Sequence, residues 1–202
     1  INTSGEFVLY WMTATRRYHY NAALDRAIEI SLELGKPLLV VECISTRHEW
    51  SSERVLTFVV QGMVDNKSVF EQKGISYVPW IENHIDSGDG MLSKLSTKAC
   101  AVVIDDFPTY LPRWVMERAS RTCKVSVEAV DSNGVLPMGY AEGAHKTAYS
   151  FRKHMQKSLH RALSTFPDED SMEGVDIDIS FDMSRFSEIV DELDLEFPPL
   201  EW

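Results

Sequence analysis

The 202 residues are enough for one good-sized domain with a packed core, or for one domain and an appendage. Hydrophobic residues make up 44% and charged residues 25%, as in ordinary soluble globular proteins, and no apolar run approaches the roughly 18 residues of a membrane-spanning helix. The net charge of −11 is concentrated: residues 165–202 hold 13 acidic side chains against Arg185 alone, whereas residues 1–164 hold 18 acidic and 19 basic ones, so an anionic partner for the body is not excluded.

In chain order, FVLYW (7–11) is rich in β-branched and aromatic residues and reads as a strand, followed by a polar loop with Thr13, Thr15, Arg16 and Arg17. Residues 21–34 place Leu24, Ala27, Ile28 and Ser31 on one helical face, and Gly35 stops that helix before Pro37. PLLVVEC (37–43) is the near-continuous apolar run of a strand covered on both faces. A second helix sets Val55, Phe58, Val59, Gly62, Met63, Asn66, Val69 and Phe70 on one stripe. Ser51 or Ser52 caps it and Lys73-Gly74 ends it. ISYVPWI (75–81) is a third strand, in which Pro79 suits a short or edge-proximal end. DSGDG (86–90) then turns into a short helix.

ACAVVID (99–105) is the fourth strand, residues 112–121 a helix with Pro112 near its first turn, and KVSVEAVD (124–131) the fifth strand. Residues 147–163 form a helix with Ala148, Phe151, Met155, Leu159 and Ala162 inward. Arg152, Lys153, Lys157 and Arg161 lie outward with His154 and His160 beside them. That basic face can meet phosphates, stand in solvent or receive the acidic tail. After Pro167 the acidic stretch 168–178 reads as a linker, and a last amphipathic helix near 183–193 is built on Phe186, Ile189, Val190 and Leu193.

Five strands alternating with helices of this length predict an α/β protein, a doubly wound five-stranded parallel sheet with helices on both faces. The division expected is a domain over 1–164 and an acidic linker with a short helix over 165–202. Strand ends carrying Thr13 and Thr15, Glu42, Asp105 and Asp106, and Asp131 and Asn133 form a polar rim, where open α/β sheets bind ligands. Asp105 and Asp131 as turn formers, and the first loop as a solvated turn, are the plainer alternatives. Arg16 or Arg17 should reach solvent or pair with a rim carboxylate, Asp105 and Asp106 being nearest by topology.

Self-contained catalytic equipment is not legible. GxGxxG, GxxxxGK[ST], SGGxDS and GxSxG are all missing, no Ser/His/Asp or Cys/His set can be nominated, and the six histidines lack metal-ligand spacing. Cys43, Cys100 and Cys123 are odd in number and far apart, so buried free thiols in a reducing cytoplasm are expected, with no structural zinc. The N-terminus has no signal-peptide pattern, although a chain beginning at Ile1 leaves residues upstream open.

VLYWMTATRRYHYNAAL resembles the start of class II DNA photolyases, through Tyr10, Trp11, Met12, Arg16 or Arg17, Asn21, Ala23 and Leu24. The likeness continues through KPLLVVECI, QGMVDNKSVFEQKGISYV and VVIDDFPTYLPRWVMERA, where Pro108 departs slightly from the family's spacing. VEAVDSNGVLP, TAYSFRKHMQKSL (with Arg152 and Lys153 or Lys157 as counterparts) and VDELDLEFPPLEW extend it over nearly the whole chain. The resemblance implies a Rossmann-like N-terminal domain of the photolyase/cryptochrome family. Its parent would be a light-driven, FAD-dependent lyase that repairs cyclobutane pyrimidine dimers in damaged DNA. FAD would sit in a helical C-terminal domain lying outside these residues, so no catalytic residue is assigned, and the five tryptophans are read as core and rim. The resemblance further implies that the rim can hold a deazaflavin or folate antenna, through Met12, Thr13, Arg16, Glu42, Cys43, Asp105, Phe107 and Asn133. Two rival readings stand beside it. A universal-stress-type nucleotide-binding module would need a GxxGxG-like loop after strand four, where the chain reads DDFPTYLP; the other rival is a cryptochrome-like signalling domain.

Overall fold

Strand β1 (Phe7–Met12) is buried at every position, as a strand flanked by two others and covered on both faces must be. In the computed structural model, which describes residues 1–46, 51–82, 90–141, 143–175 and 178–196, β1 is the middle strand of five. The others are β2 (Leu38–Ser45), β3 (Ser76–Glu82), β4 (Ala99–Asp105) and β5 (Val127–Val130), in the order β3-β2-β1-β4-β5 with every pairing parallel. Parallel neighbours need crossovers. These are supplied by α1 (Ala22–Leu34), α2 (Glu53–Gln72), α3 (Met91–Ser96) and α4 (Tyr110–Thr122). The doubly wound sheet read from the sequence is therefore the one observed. Pro79 lies on an edge strand, where its missing N–H is tolerated. The order reverses between β1 and β4, and the crevice of such a sheet opens at their carboxyl ends.

Strand alternation divides the core in two. Val8, Tyr10, Met12, Val40, Ala101 and Val103 pack with α1 residues Ala23, Leu24, Ala27 and Ile28 and with Phe70 of α2. Phe7, Leu9, Trp11, Val41, Val102 and Ile104 face the other way, toward Met91, Leu95 and Ala119 of α3 and α4. Local signals set the helix ends: the Asn21 side chain accepts from Leu24 N and Gly35 closes α1 at φ 59°, while Ser52 caps α2.

Two helices bury less than their stripes promise. In α2 only Met63, Asn66 and Phe70 are buried, and Phe58 is 77% exposed. All three buried residues lie in the second half of the helix, so its first half contributes no buried side chain to the core. In α5 (Ala148–Ser164) Ala162 alone is buried, and Phe151 and Leu159, expected inward, are exposed. Helix α5 is tied to the 3-10 turn Met138–Ala141 through His154 Nε2, hydrogen-bonded to the Tyr140 carbonyl, while His145, just before the helix, is hydrogen-bonded to the Ala141 carbonyl.

Residues 165–196, read as linker and short helix, are laid along the body where they are described. Tyr20 N donates to Asp168 O (3.1 Å), Leu38 N to Ile179 O (2.7 Å) and Phe181 N to Ser76 Oγ (2.8 Å). Met172 and Ile179 join the core on the α1 side, while Phe181 and, from α6 (Met183–Glu192), Phe186 and Ile189 join the opposite face. Arg185 pairs with Glu6 (2.7 Å), Glu188 (2.9 Å) and Glu192 (2.7 Å), and Lys98 with Glu192. The Arg185 hydrogen bond lowers the carboxyl pKa of Glu6, and hydrogen bonds from Lys98 and Arg185 bring Glu192 down to about 2.

Carboxyls depressed in this way stabilise the docked helix above their ordinary value of 4.5, and that stabilisation disappears as pH falls toward 2. The Ile189 methyl resonance should therefore leave its folded position on acidification through that window. In Arg185→Ala, which leaves Glu6 and Glu192 with Lys98 as their only cationic partner, it should do so at higher pH; release of both chains at one pH would show that apolar burial alone docks α6. A second expectation concerns Gly5, where an added Cβ would lie 2.5 Å from Ala99 C and Cys100 N. Backbone cannot yield as a side chain can, so Gly5→Ala should cost about 1–3 kcal/mol in urea denaturation.

Candidate functional site

The loop after β1 is organised by a carboxyl from β4. Asp105 Oδ2 accepts from the backbone N–H groups of Thr13 (2.8 Å), Ala14 (2.7 Å) and Thr15 (3.1 Å), while Oδ1 accepts from Tyr10 OH (2.9 Å). Asn21, the cap of α1, donates to Tyr10 OH (3.1 Å) and to the carbonyls of Thr15 (3.2 Å) and Arg17 (2.8 Å). Burial and the neighbouring Asp105 charge push the Tyr10 phenol well up, so it stays protonated and a donor. Every one of these groups is spent on holding the chain.

Arg16 turns over β2. Its NH1 pairs with Glu42 Oε1 at 2.9 Å and its NH2 donates to Cys43 O. Glu42, at 1% exposure, also accepts from Asn66 Nδ2 (2.9 Å) and Tyr77 OH. A rim carboxylate does pair with Arg16, but it is Glu42 rather than Asp105 or Asp106, because the loop amides already occupy Asp105. Arg17 bonds to the carbonyls of His19 and Tyr20 and lines a second cavity, between the start of α1 and the end of α5.

Beside Arg16 opens a cavity of about 310 Å³, within the ~300–1,000 Å³ usual for small-molecule sites. Trp11, Ile44 and Trp80 from the strands and Leu92, Val115 and Ala119 from α3 and α4 make its apolar walls. Thr13, Arg16, Ser45, Glu82 and Arg118 give it polar edges. Thr13 Oγ1 is buried with no hydrogen-bond partner among the described residues, which is costly unless a ligand or water satisfies it. Cys43 lines the same cavity, and burial pushes its thiol well up, so it is neutral and a poor nucleophile at neutral pH.

Of the residues expected at the rim, Thr13, Arg16 and Cys43 therefore meet at one cavity. Glu42 stands one step behind, through Arg16. Met12 points to the α1 side of the sheet, Asp105 lies beneath the 13–15 loop, and Phe107 is half-buried between β4 and α4. Asn133 lies on another loop, donating to Asp106 O (2.7 Å), and Asp131 accepts from Asn133 N and Met138 N as a turn former. Trp11, Trp80, Ser45, Arg118 and the α3–α4 wall were not among the expected site residues. Trp11, next to Met12 in the same strand, was within reach of a parity argument. Of the other tryptophans, Trp114 is exposed, and Trp50 and Trp202 lie outside the described residues, as do Asp86 to Asp89 of the Gly-rich turn. Among the described residues no group of three or more His, Cys, Asp or Glu is arranged for a metal, and no helix is long and apolar enough to cross a membrane.

Glu42→Gln would leave the half-buried guanidinium without its counter-charge, and breaking such a pair costs about 3 kcal/mol. Urea denaturation should register that loss. A cost under about 1 kcal/mol would show that solvent already screens Arg16.

Residues 8–171 match the family described as DNA photolyase. A deoxyribodipyrimidine photo-lyase from Methanothermobacter thermautotrophicus is 30% identical over 160 residues, covering 79% of this chain and 35% of that protein. The chain thus spans about a third of that relative's length. Among solved structures, a universal stress protein from Archaeoglobus fulgidus covers 61% of this chain and 97% of its own at 13% identity, with a TM-score of 0.43. A universal stress protein in complex with cAMP covers 64% and 100% at 16% identity and a TM-score of 0.39. Likeness at that level carries nothing about ligands.

Proposed function

The chain belongs to the DNA photolyase family, and on that premise we propose that it is the N-terminal α/β domain of a cytoplasmic light-driven lyase acting on cyclobutane pyrimidine dimers in DNA. In this reading residues 1–164 are the domain, residues 165–202 lead toward a helical FAD-binding domain of the same protein, and the cavity beside Arg16 holds a deazaflavin or folate antenna. The match over residues 8–171 carries the first part. The second rests on a cavity with two indole walls and a buried hydroxyl, Thr13 Oγ1, that lacks a partner among the described residues.

The cavity's residues suit a planar, partly polar ring. Trp11 and Trp80 offer aromatic surface for stacked or edge contacts. Thr13 offers one hydroxyl as donor or acceptor. Arg16 has five N–H donors, of which Glu42 and Cys43 O engage two of its nitrogens, so its plane is fixed while other donors remain for a ligand carbonyl. Glu42 acts as a positioning residue, since it orients the guanidinium without lining the cavity. A bound antenna would supply light absorption and energy transfer to FAD. The protein's part is to exclude water and hold the ring in one orientation.

Titration of the purified chain with a 5-deazaflavin, methenyltetrahydrofolate, ATP and FAD, followed by tryptophan fluorescence, tests the cavity. One of the first two should bind near 1:1. Thr13→Val should weaken it about fivefold, the worth of one hydrogen bond, and Arg16→Ala tenfold or more, with Asn133→Ala unchanged. Equal affinity in all three variants, or preference for ATP, would refute the antenna site. The parent reading is tested separately, by light-dependent dimer repair in the full-length protein.

A further inference from the structure

Helix α5 and its flanks carry an uncompensated positive charge in an acidic protein. From residue 143 to residue 167 there is no Asp or Glu, yet the stretch holds Lys146, Arg152, Lys153, Lys157 and Arg161, all exposed. None of the five forms an ion pair among the described residues, whereas Arg26, Lys73, Lys98 and Arg185 each do. The acidic stretch that follows is led away from this helix: Asp168 is bound by Tyr20 N, and Asp170 pairs with Lys73 at the end of α2. Like charges on successive turns repel, so such a face is a cost to the isolated domain unless a polyanion meets it.

We propose that this face of α5 contacts the phosphate backbone of DNA, independently of sequence, lesion or flavin. At 3.6 residues per turn, Tyr149, Arg152, Lys153, Lys157 and His160 share about half of the helix circumference. Arg152 to Arg161 spans about 14 Å along the axis, the rise of about four nucleotides of one strand. Tyr149 is 64% exposed and lies under Arg152, whose Cζ is 5.7 Å from the ring centroid, so an aromatic surface for sugar or base sits among the cations. A lipid surface fits less well. An interfacial helix buries its whole apolar side in the bilayer, and here the middle of that side, Ala162 at 1% exposure and the half-buried Met155, is covered by the protein, with Phe151 and Leu159 39% and 37% exposed at its edges. The choice of DNA as the polyanion rests on the family reading above.

Fluorescence anisotropy with an undamaged 20-base-pair duplex, in the dark and without flavin, tests the contact. Affinity should fall with salt at about 0.9 log units per log unit of salt for each phosphate engaged. Four contacts would give about a hundredfold loss between 50 and 200 mM. Lys153→Glu with Lys157→Glu should reduce binding at least tenfold. Arg121→Glu with Lys124→Glu, the same charge change at exposed positions in the last turn of α4 and just after it, should leave it within twofold, with unchanged circular dichroism in both. No binding at 50 mM salt, equal loss in the two double variants, or tighter binding to phosphatidylserine vesicles or to an acidic peptide than to DNA would each overturn the inference. Since no lesion, light or flavin is involved, that failure would leave the repair assay of the full-length protein to decide the family reading by itself.

Discussion

Asp105 is the interaction on which the site depends. A loop leaving a central strand points consecutive N–H groups inward, and each would be a buried unsatisfied donor costing about 1–3 kcal/mol. One carboxyl from the adjacent strand accepts three of them. Its other oxygen takes the Tyr10 hydroxyl, and Asn21 carries the same network into the first turn of α1. With residues 13–15 so fixed, Thr13 is set on the α3–α4 side of the sheet, and Arg16 lies over β2, where Glu42 receives it. The two acids that most resemble ligand contacts thus build the cavity from behind.

That distinction explains how far the sequence could be read. Helix and strand positions were legible because their signals are local: Asn21 and Gly35 bound α1, Ser52 caps α2, and runs such as 37–43 and 99–105 admit only a strand buried on both faces. The same continuity hid the site. A strand without polar alternation gives no sign of which parity faces which layer. Met12 and Trp11 are equally apolar, yet Met12 packs toward α1 and Trp11 lines the cavity. Thr13 and Cys43 share the parity of Trp11 on its side of the sheet, whereas Glu42 and Asp105 have the opposite one. The exposure of the first half of α2 was illegible for another reason: an apolar stripe such as Val55 and Phe58 reports periodicity, and burial also requires a surface that packs against it.

Charge is sorted in space as strongly as along the chain. The acidic C-terminal segment meets cations where it docks: Asp170 at Lys73, and Glu192 at Lys98 and Arg185. Exposed pairs of this kind are individually worth about 0–1 kcal/mol. The anchoring therefore lies chiefly in Met172, Ile179, Phe181, Phe186 and Ile189, and the ion pairs add the part that is lost in acid. Helix α5 shows the reverse arrangement, with little burial and no ion pair to its cations among the described residues.

The docked segment also touches a wall residue of the cavity. Trp80, one of its two indole walls, donates Nε1–H to Glu196 O at 3.1 Å, and Lys94 Nζ donates to Asp194 O at 3.0 Å. Leu193 and Leu195 pack in the same apolar cluster as Leu92, another wall residue. The sheet, α3 and α4 thus wall the cavity, and residues 193–196 hold one wall residue, Trp80, by its indole N–H. A ligand that stacks on Trp80 more tightly when residues 193–196 are in place must, by linkage, stabilise their docking by the same free energy. A ligand indifferent to the position of that indole would leave the segment untouched however tightly it bound.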